Sequence, residues 1–93
     1  MAANRFVIVA PALLPSQQNT LTQHFQSSGV GYWHWGSDTW LIATRTLENA
    51  VALRGKINQA LPGVHVVVLQ VTPVMWSMYG PSTWAEWFKA SWQ

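Results

Sequence analysis

The order of apolar patterns along the chain constrains its fold more than any other feature. Residues 5–10 form a β-branched run that ends at Pro11 and predicts a central strand, and residues 64–72 form a second run that ends at Pro73. Neither run approaches the roughly 20 apolar residues that a membrane-spanning helix requires. We therefore expect two strands of a folded domain, with no transmembrane segment.

The first connection is predicted to be a helix. Pro15 stands at a possible first helical position, where the backbone N–H that proline lacks would have no partner within the helix. The helical pattern continues to about residue 28. Leu21 and Phe25 lie one turn apart and mark its apolar face. Gly29 should end it, since glycine adopts the left-handed backbone that closes helices.

A hairpin and a second helix follow. Residues 31–35 and 39–44 predict two strands joined by a Gly-Ser-Asp turn at residues 36–38. Thr46 is the expected N-cap of the next helix, with Glu48 in its first turn. The apolar face of that helix consists of Ala50, Leu53, Ile57 and Ala60 or Leu61, and Pro62-Gly63 should end it.

These elements give the order β-α-β-β-α-β. With short right-handed crossovers, that order predicts an α+β ferredoxin-like fold, a four-stranded antiparallel sheet with both helices on one face. The other face of such a sheet stays open. An apolar open face needs another layer or a partner.

The chain is predicted to be one domain, residues 1–93, with a core at 1–73 and an aromatic extension at 74–93. Pro81 at a possible first helical position and capping-box spacing between Thr83 and Glu86 predict a short last helix that begins near Ser82. A helix of about ten residues is marginal alone. It must dock on the open face, on a sheet edge or on a second subunit.

Seven tryptophans in 93 residues supply an unusual amount of aromatic surface that must be buried within the fold or between molecules. Trp40, in a predicted central strand, is assigned to the core. The first tryptophan cluster consists of Trp33, Trp35 and Trp40, and the second of Trp76, Trp84, Trp87 and Trp92. The candidates for binding a protein partner are Trp33, Trp35, Trp76, Trp84, Trp87, Phe88 and Trp92.

The length of the hairpin loop decides how the first tryptophan cluster is divided. A two-residue loop places Trp33 and Trp35 on the same face as Trp40, because opposed residues of an antiparallel pair point the same way. A three-residue loop instead places Trp40 with Tyr32 and His34. The sequence leaves both arrangements open.

The charges do not favour nucleic acid as the partner. Five basic and three acidic residues give a net charge of +2, and the candidate phosphate contacts are Arg45, Arg54 and Lys56. RNA-recognition sheets expose aromatic rings on their central strands. Here those strands supply only Phe6 and Trp40, so this assignment is weakened.

No pattern predicts catalysis, a metal or a cofactor. His24, His34 and His65 fall on different elements and lack ligands at helical or hairpin spacing. Ser37 and Asp38 accompany His34, but serine and aspartate are ordinary residues of tight turns. We therefore expect a protein that is not an enzyme, and the short, proline-broken first run favours a cytoplasmic location over a signal peptide.

The second half of the chain resembles the small Cas2-like and SinR-like proteins. The resemblance covers about residues 32–90 and is carried by Asp38-Thr39-Trp40-Leu41-Ile42, Leu53-Arg54, Val66 to Val71 and the segment from Trp76 to Trp87. It implies a ferredoxin-like fold, homodimers that pair through sheet edges and C-terminal strands, and association with nucleic acid in some members. Members with proposed nuclease activity have an aspartate at the end of the first strand, where this chain has Val9-Ala10-Pro11-Ala12, so hydrolysis does not carry over.

Together these observations predict a non-catalytic protein-interaction module that forms a homodimer. It would bind a protein partner through the open sheet face or the tryptophan-rich C-terminal segment, as an accessory or inhibitory factor. The alternative is a Cas2-like protein that binds nucleic acid without nuclease activity. Neither alternative requires a cofactor or a membrane.

Overall fold

A computed structural model describes residues 4–46, 49–72, 77 and 79–92. Its elements follow in the order β1 (Asn4–Val9), α1 (Pro15–Ser28), β2 (Gly31–Trp35), β3 (Thr39–Thr44), α2 (Ala50–Ala60), β4 (Val67–Val71) and α3 (Ser82–Ser91). The predicted order of strands and helices is confirmed, including the short last helix.

The four strands form one antiparallel sheet in the order β2-β3-β1-β4. β1 and β3 are therefore the central strands, and β2 and β4 are the edges. Phe6 lies opposite Ile42 on β3 and opposite Gln70 on β4, which fixes the register across the centre of the sheet. The protein is a small α+β structure built on this sheet.

α1 and α2 cover the same face of the sheet. Alternate residues of β1 and β3 point toward them, as the period of two in a strand requires. The largest fully buried side chains come from both central strands and from both helices: Phe6, Ile8, Trp40 and Ile42 from the sheet, Leu21 and Phe25 from α1, and Leu53 and Ile57 from α2. One core thus joins the two helices to the sheet.

The ends of α1 agree with the sequence pattern. Pro15 is the first helical residue, and the side-chain oxygen of Gln17 accepts a hydrogen bond of 2.8 Å from the backbone N–H of Leu14. This bond satisfies one donor that the helix leaves unpaired at its start. Gly29 closes the helix with φ 73°, in the left-handed region that favours glycine.

The predicted N-cap of α2 is wrong. Asn49, not Thr46, caps the helix, and its side-chain oxygen accepts a hydrogen bond of 2.9 Å from the N–H of Ala52. The hydroxyl of Thr46 instead lies 2.9 Å from that of Thr44, which also accepts from the backbone N–H of Thr46. Glu48 lies outside the described residues. The local turn therefore uses both threonines before the helix begins.

The last strand is shorter than the sequence predicts. β4 begins at Val67 instead of residue 64, because its partner β1 ends at Val9, which lies opposite Val67. Beyond that point Ala10 donates its N–H to the carbonyl of Asp38 in the hairpin turn. A strand forms only where its backbone N–H and C=O groups find hydrogen-bond partners. Residues 64–66 have no β1 residue opposite them and therefore lie outside the β1–β4 pairing.

α3 begins at Ser82, within the predicted range, but the predicted capping box is wrong. Pro81 occupies the N-cap with φ −57° and ψ 150°, and its carbonyl accepts the N–H of Trp84 at 3.0 Å. Thr83 consequently lies inside the helix, where it cannot cap it. No helix in the described part of the chain is long and apolar enough to cross a membrane.

Candidate functional site

The hairpin loop contains three residues, and this length divides the first tryptophan cluster. Trp35 lies opposite Thr39, Trp33 opposite Leu41, and His34 opposite Trp40. Trp40 therefore shares the helix-covered face with His34, whereas Trp33 and Trp35 point to the other face. Of the two arrangements that the sequence leaves open, the structure has the one with aromatic rings on both sides of the sheet.

On the helix-covered face, His34 and Trp40 stack with ring centroids 4.2 Å apart and an angle of 4° between the planes. The indole N–H of Trp40 donates to the hydroxyl of Thr22 on α1 at 3.3 Å, and that hydroxyl lies 3.5 Å from His34 Nδ1. The nearby Asp38 carboxylate accepts a hydrogen bond from Thr39 instead. The structure therefore ties His34 to the core and does not join it to Asp38.

On the opposite face, α3 packs against β2. Trp33 contacts Trp84 and Trp87 with centroid distances of 5.8 and 5.9 Å, and Trp35 contacts Trp84 at 6.1 Å. Angles of 49° to 81° make these edge-to-face or tilted contacts, the arrangements that the charge distribution of aromatic rings favours. We call these rings, together with Phe88 and Trp92, the aromatic layer.

The aromatic layer ends in a buried tryptophan. Trp92 is only 5% exposed and lies 5.8 Å from Trp87 and 6.1 Å from Phe88, measured between ring centroids. The structure thus brings together six of the seven aromatic residues that the sequence nominates for partner binding. The seventh, Trp76, lies outside the described residues.

A cleft of about 250 Å³ opens at the edge of the aromatic layer. Its walls include Trp33, Trp84 and Phe88, and its mouth carries Trp35, which is 52% exposed, and Tyr79, which is fully exposed. Tyr79 was not among the predicted site residues, since nothing in its sequence neighbourhood sets it apart. The cleft offers aromatic surface that α3 does not cover.

α3 leaves the other half of the same face open. Leu41, which lies opposite Trp33, is only 6% exposed, whereas Val67 and Leu69 on β4 are 55% and 52% exposed. Val71 points the same way and is half-buried. We call Val67, Leu69 and Val71 the open strip. It lies on an edge strand of the sheet, where the sequence pattern predicts no site residue.

The aromatic layer also explains one glycine. A Cβ at Gly80 would overlap Trp84 Cε3 and lie 2.7 Å from Cζ3, so Gly80→Ala must displace the indole. We expect a loss of about 1–3 kcal/mol in the free energy of unfolding. Gly55→Ala is the matched control, since its Cβ would meet nothing within 4 Å in α2. It should gain about 0.5–1 kcal/mol. Urea unfolding measures both, and an equal response would contradict this packing.

The three basic residues of the nucleic-acid alternative are exposed, and two of them, Arg54 and Lys56, lie on different sides of α2. Arg54 and Lys56 are two positions apart on α2, which separates them by about 200° around the helix axis. Arg54 donates to the side-chain oxygen of Asn58 at 3.2 Å, and Lys56 lines a cavity beside α1. Arg45 follows β3. Phe6 and Trp40, the only aromatics of the central strands, are buried under the helices. Nucleic-acid binding by Arg45, Arg54 and Lys56 stays a prediction.

The three histidines lie apart in the fold. His24 is on α1, His34 is on β2, and His65 precedes β4. Among the residues that the structure describes, no group of three histidine or carboxylate side chains could hold a metal ion.

No protein-family model and no curated protein matches this chain. The resemblance to Cas2-like and SinR-like proteins therefore stays a prediction from the sequence.

Proposed function

We propose that the protein is a non-catalytic interaction module that acts as a homodimer. The observation that carries this proposal is the open strip, an exposed apolar row on an edge strand beside a face that the chain otherwise covers with its own helix. Water-exposed apolar rows of this kind mark surfaces that associate.

The chemistry of β4 supports pairing with another strand. Soluble proteins protect edge strands with charged side chains or proline, because free N–H and C=O groups along an edge attract further strands. β4 has the sequence Val-Val-Leu-Gln-Val and contains neither protection. No strand in the described part of the chain occupies its outer side. A second copy of β4 would satisfy these backbone groups.

The open strip is also complementary to itself. Antiparallel pairing of two copies about a two-fold axis at Leu69 places each Leu69 beside its counterpart and each Val67 opposite the partner's Val71. The three apolar side chains of each copy then lie on the same face. Such pairing would join two four-stranded sheets into one sheet, and the apolar side chains of the two copies would contact each other across the new strand pair, which reduces their contact with water.

The aromatic cleft is the proposed site for a protein partner. Its two mouth residues, Trp35 and Tyr79, are exposed and belong to the residue types that most often anchor interfaces. Its volume of about 250 Å³ suits one apolar side chain of a partner more than a whole small molecule. A two-fold dimer would present two such clefts.

The ferredoxin-like assignment and the wider role belong to the same proposal. Read from its other edge, the sheet has the strand order β4-β1-β3-β2. In this order β3 lies between the two strands of the β1-α1-β2 unit, and β1 lies between the two strands of the β3-α2-β4 unit. This split arrangement supports a ferredoxin-like fold. A cytoplasmic location, which the short and proline-broken first apolar run favours, extends the proposal. So does a role as an accessory or inhibitory factor, which the resemblance to Cas2-like proteins suggests.

Substitution of Leu69 tests the dimer. We expect light scattering to give twice the 10.4 kDa chain mass for the wild type and the chain mass for Leu69→Lys, because two introduced ammonium groups would meet across the axis. Leu69 is half exposed, so the variant should keep its circular dichroism spectrum. Val67→Lys provides a second variant. The control is Val51→Lys on α2, 70% exposed, which should remain dimeric. A monomeric wild type would refute the proposal.

A further inference from the structure

We propose that a second site, distinct from the open strip and the aromatic layer, binds a small organic anion. The site is a cavity of about 360 Å³ between the C-terminal half of α1 and α2. This volume falls in the range of clefts that bind small ligands. None of the described lining residues belongs to β4 or α3, so the site is separate from the proposed dimer contact.

The polar groups of the cavity favour negative charge. Lys56 from α2 and His24 from α1 supply the ionisable side chains, with Ser28 and Thr46 beside them. None of the described lining residues is acidic. A lysine ammonium offers three donors and no acceptor, so its natural ligand is a carboxylate or phosphate oxygen.

The hydrogen bonds within the wall show which donors are available. Ser28 donates its hydroxyl to the backbone carbonyl of His24 at 2.7 Å, so that proton is already used. The Thr46 hydroxyl pairs only with that of Thr44 among the described residues, and either oxygen can be the donor. When Thr44 donates, the Thr46 proton is free for a ligand. Lys56, His24 and Thr46 are therefore the groups that would hold the anion.

The remaining wall is apolar. Phe25 and Leu53 belong to the core and are each 1% exposed, and the half-buried Val30 closes the space after α1. A bare inorganic ion would leave this part of the cavity unfilled. The apolar wall therefore favours a ligand in which an oxyanion is attached to an aromatic or aliphatic group. The oxyanion would bind Lys56, and the apolar group would contact Phe25, Val30 and Leu53.

Titrations followed by amide NMR test this site, with phenyl phosphate and benzoate as probes of the two oxyanions. We expect at least one to bind saturably, with shifts centred on Ser28, Thr46 and Lys56. Benzamide, the neutral counterpart of benzoate, should not bind. Inorganic phosphate should bind more weakly than phenyl phosphate, and equal binding would overturn the apolar part of the proposal.

Two lysine variants supply the decisive comparison. Lys56→Gln should weaken binding about tenfold or more, since a hydrogen bond to a charged group is lost. Lys89→Gln is the matched control, because Lys89 is the other lysine of the chain and lies on α3 across the sheet. It should bind as the wild type does. No saturable binding by either probe, or equal losses in the two variants, would overturn the proposal.

Discussion

Trp40→Ala should lower the free energy of unfolding by about 3–5 kcal/mol, the usual cost of truncating a large aromatic side chain in a core. Trp40 is fully buried, stacks on His34 and donates its indole N–H to Thr22. Alanine would leave a cavity between β3 and α1 and would remove both contacts. Urea unfolding at equilibrium measures the loss.

Trp35→Ala is the matched control for this prediction. The two tryptophans belong to the same hairpin, but Trp35 points to the opposite face and is 52% exposed. Its replacement should cost less, about 1–2 kcal/mol, because half of its surface is already in water and only its contact with the aromatic layer is lost. Equal losses for the two variants would show that the three-residue loop does not divide the cluster as described.

Deletion of residues 81–93 should have the second large effect. The deletion removes α3 and with it the rings that contact Trp33 and Trp35. Burial of one complete aromatic side chain such as Trp92 removes about 150–250 Å² from water, which corresponds to about 4–6 kcal/mol as an upper estimate. We expect a strongly lowered melting temperature and strong binding of a dye that reports exposed apolar surface.

The deletion also distinguishes two roles for α3. A helix that docks only on a second subunit would leave a folded, stable monomer after its removal. The contacts within one chain predict instead a destabilised and aggregating product. A truncated protein with the melting temperature of the full chain and no dye binding would contradict the description of α3 as a layer of its own fold.

Much of the fold follows from local sequence signals. The bounds of the hairpin strands and of α1 were predictable because glycine and proline stand at their ends and the apolar periods are clear. The N-cap of α2 was not predictable in this way, because threonine and asparagine are both good N-cap residues. In the structure the Thr46 hydroxyl pairs with that of Thr44, and Asn49 caps the helix. The first residue of β4 is set by the last residue of its partner β1, and that pairing between distant parts of the chain cannot be predicted from the local sequence of β4.

The candidate site was predictable only in part. Trp84, Trp87 and Phe88 are spaced three and four residues apart, which places them on one side of a helix. The spacing alone does not determine whether that side packs on a sheet face, on a sheet edge or on another subunit. Val67 and Leu69 were not predicted as site residues because they belong to a continuous apolar run, which is typical of a buried strand. Such a run does not show whether the strand lies in the centre or at the edge of its sheet. The edge position of β4, once known, makes them the exposed row.

The proposed assembly has two kinds of contact: the rings of α3 pack on Trp33 within one chain, and β4 pairs with β4 of a second copy. An isotope-filtered NOE experiment on a mixture of labelled and unlabelled chains tests both at once. We predict contacts between chains that join Leu69 to Leu69 and Val67 to Val71, and contacts between Trp33 and Trp84 only within a chain. Contacts between Trp33 and Trp84 of different chains, or no contacts between β4 strands, would contradict this assembly.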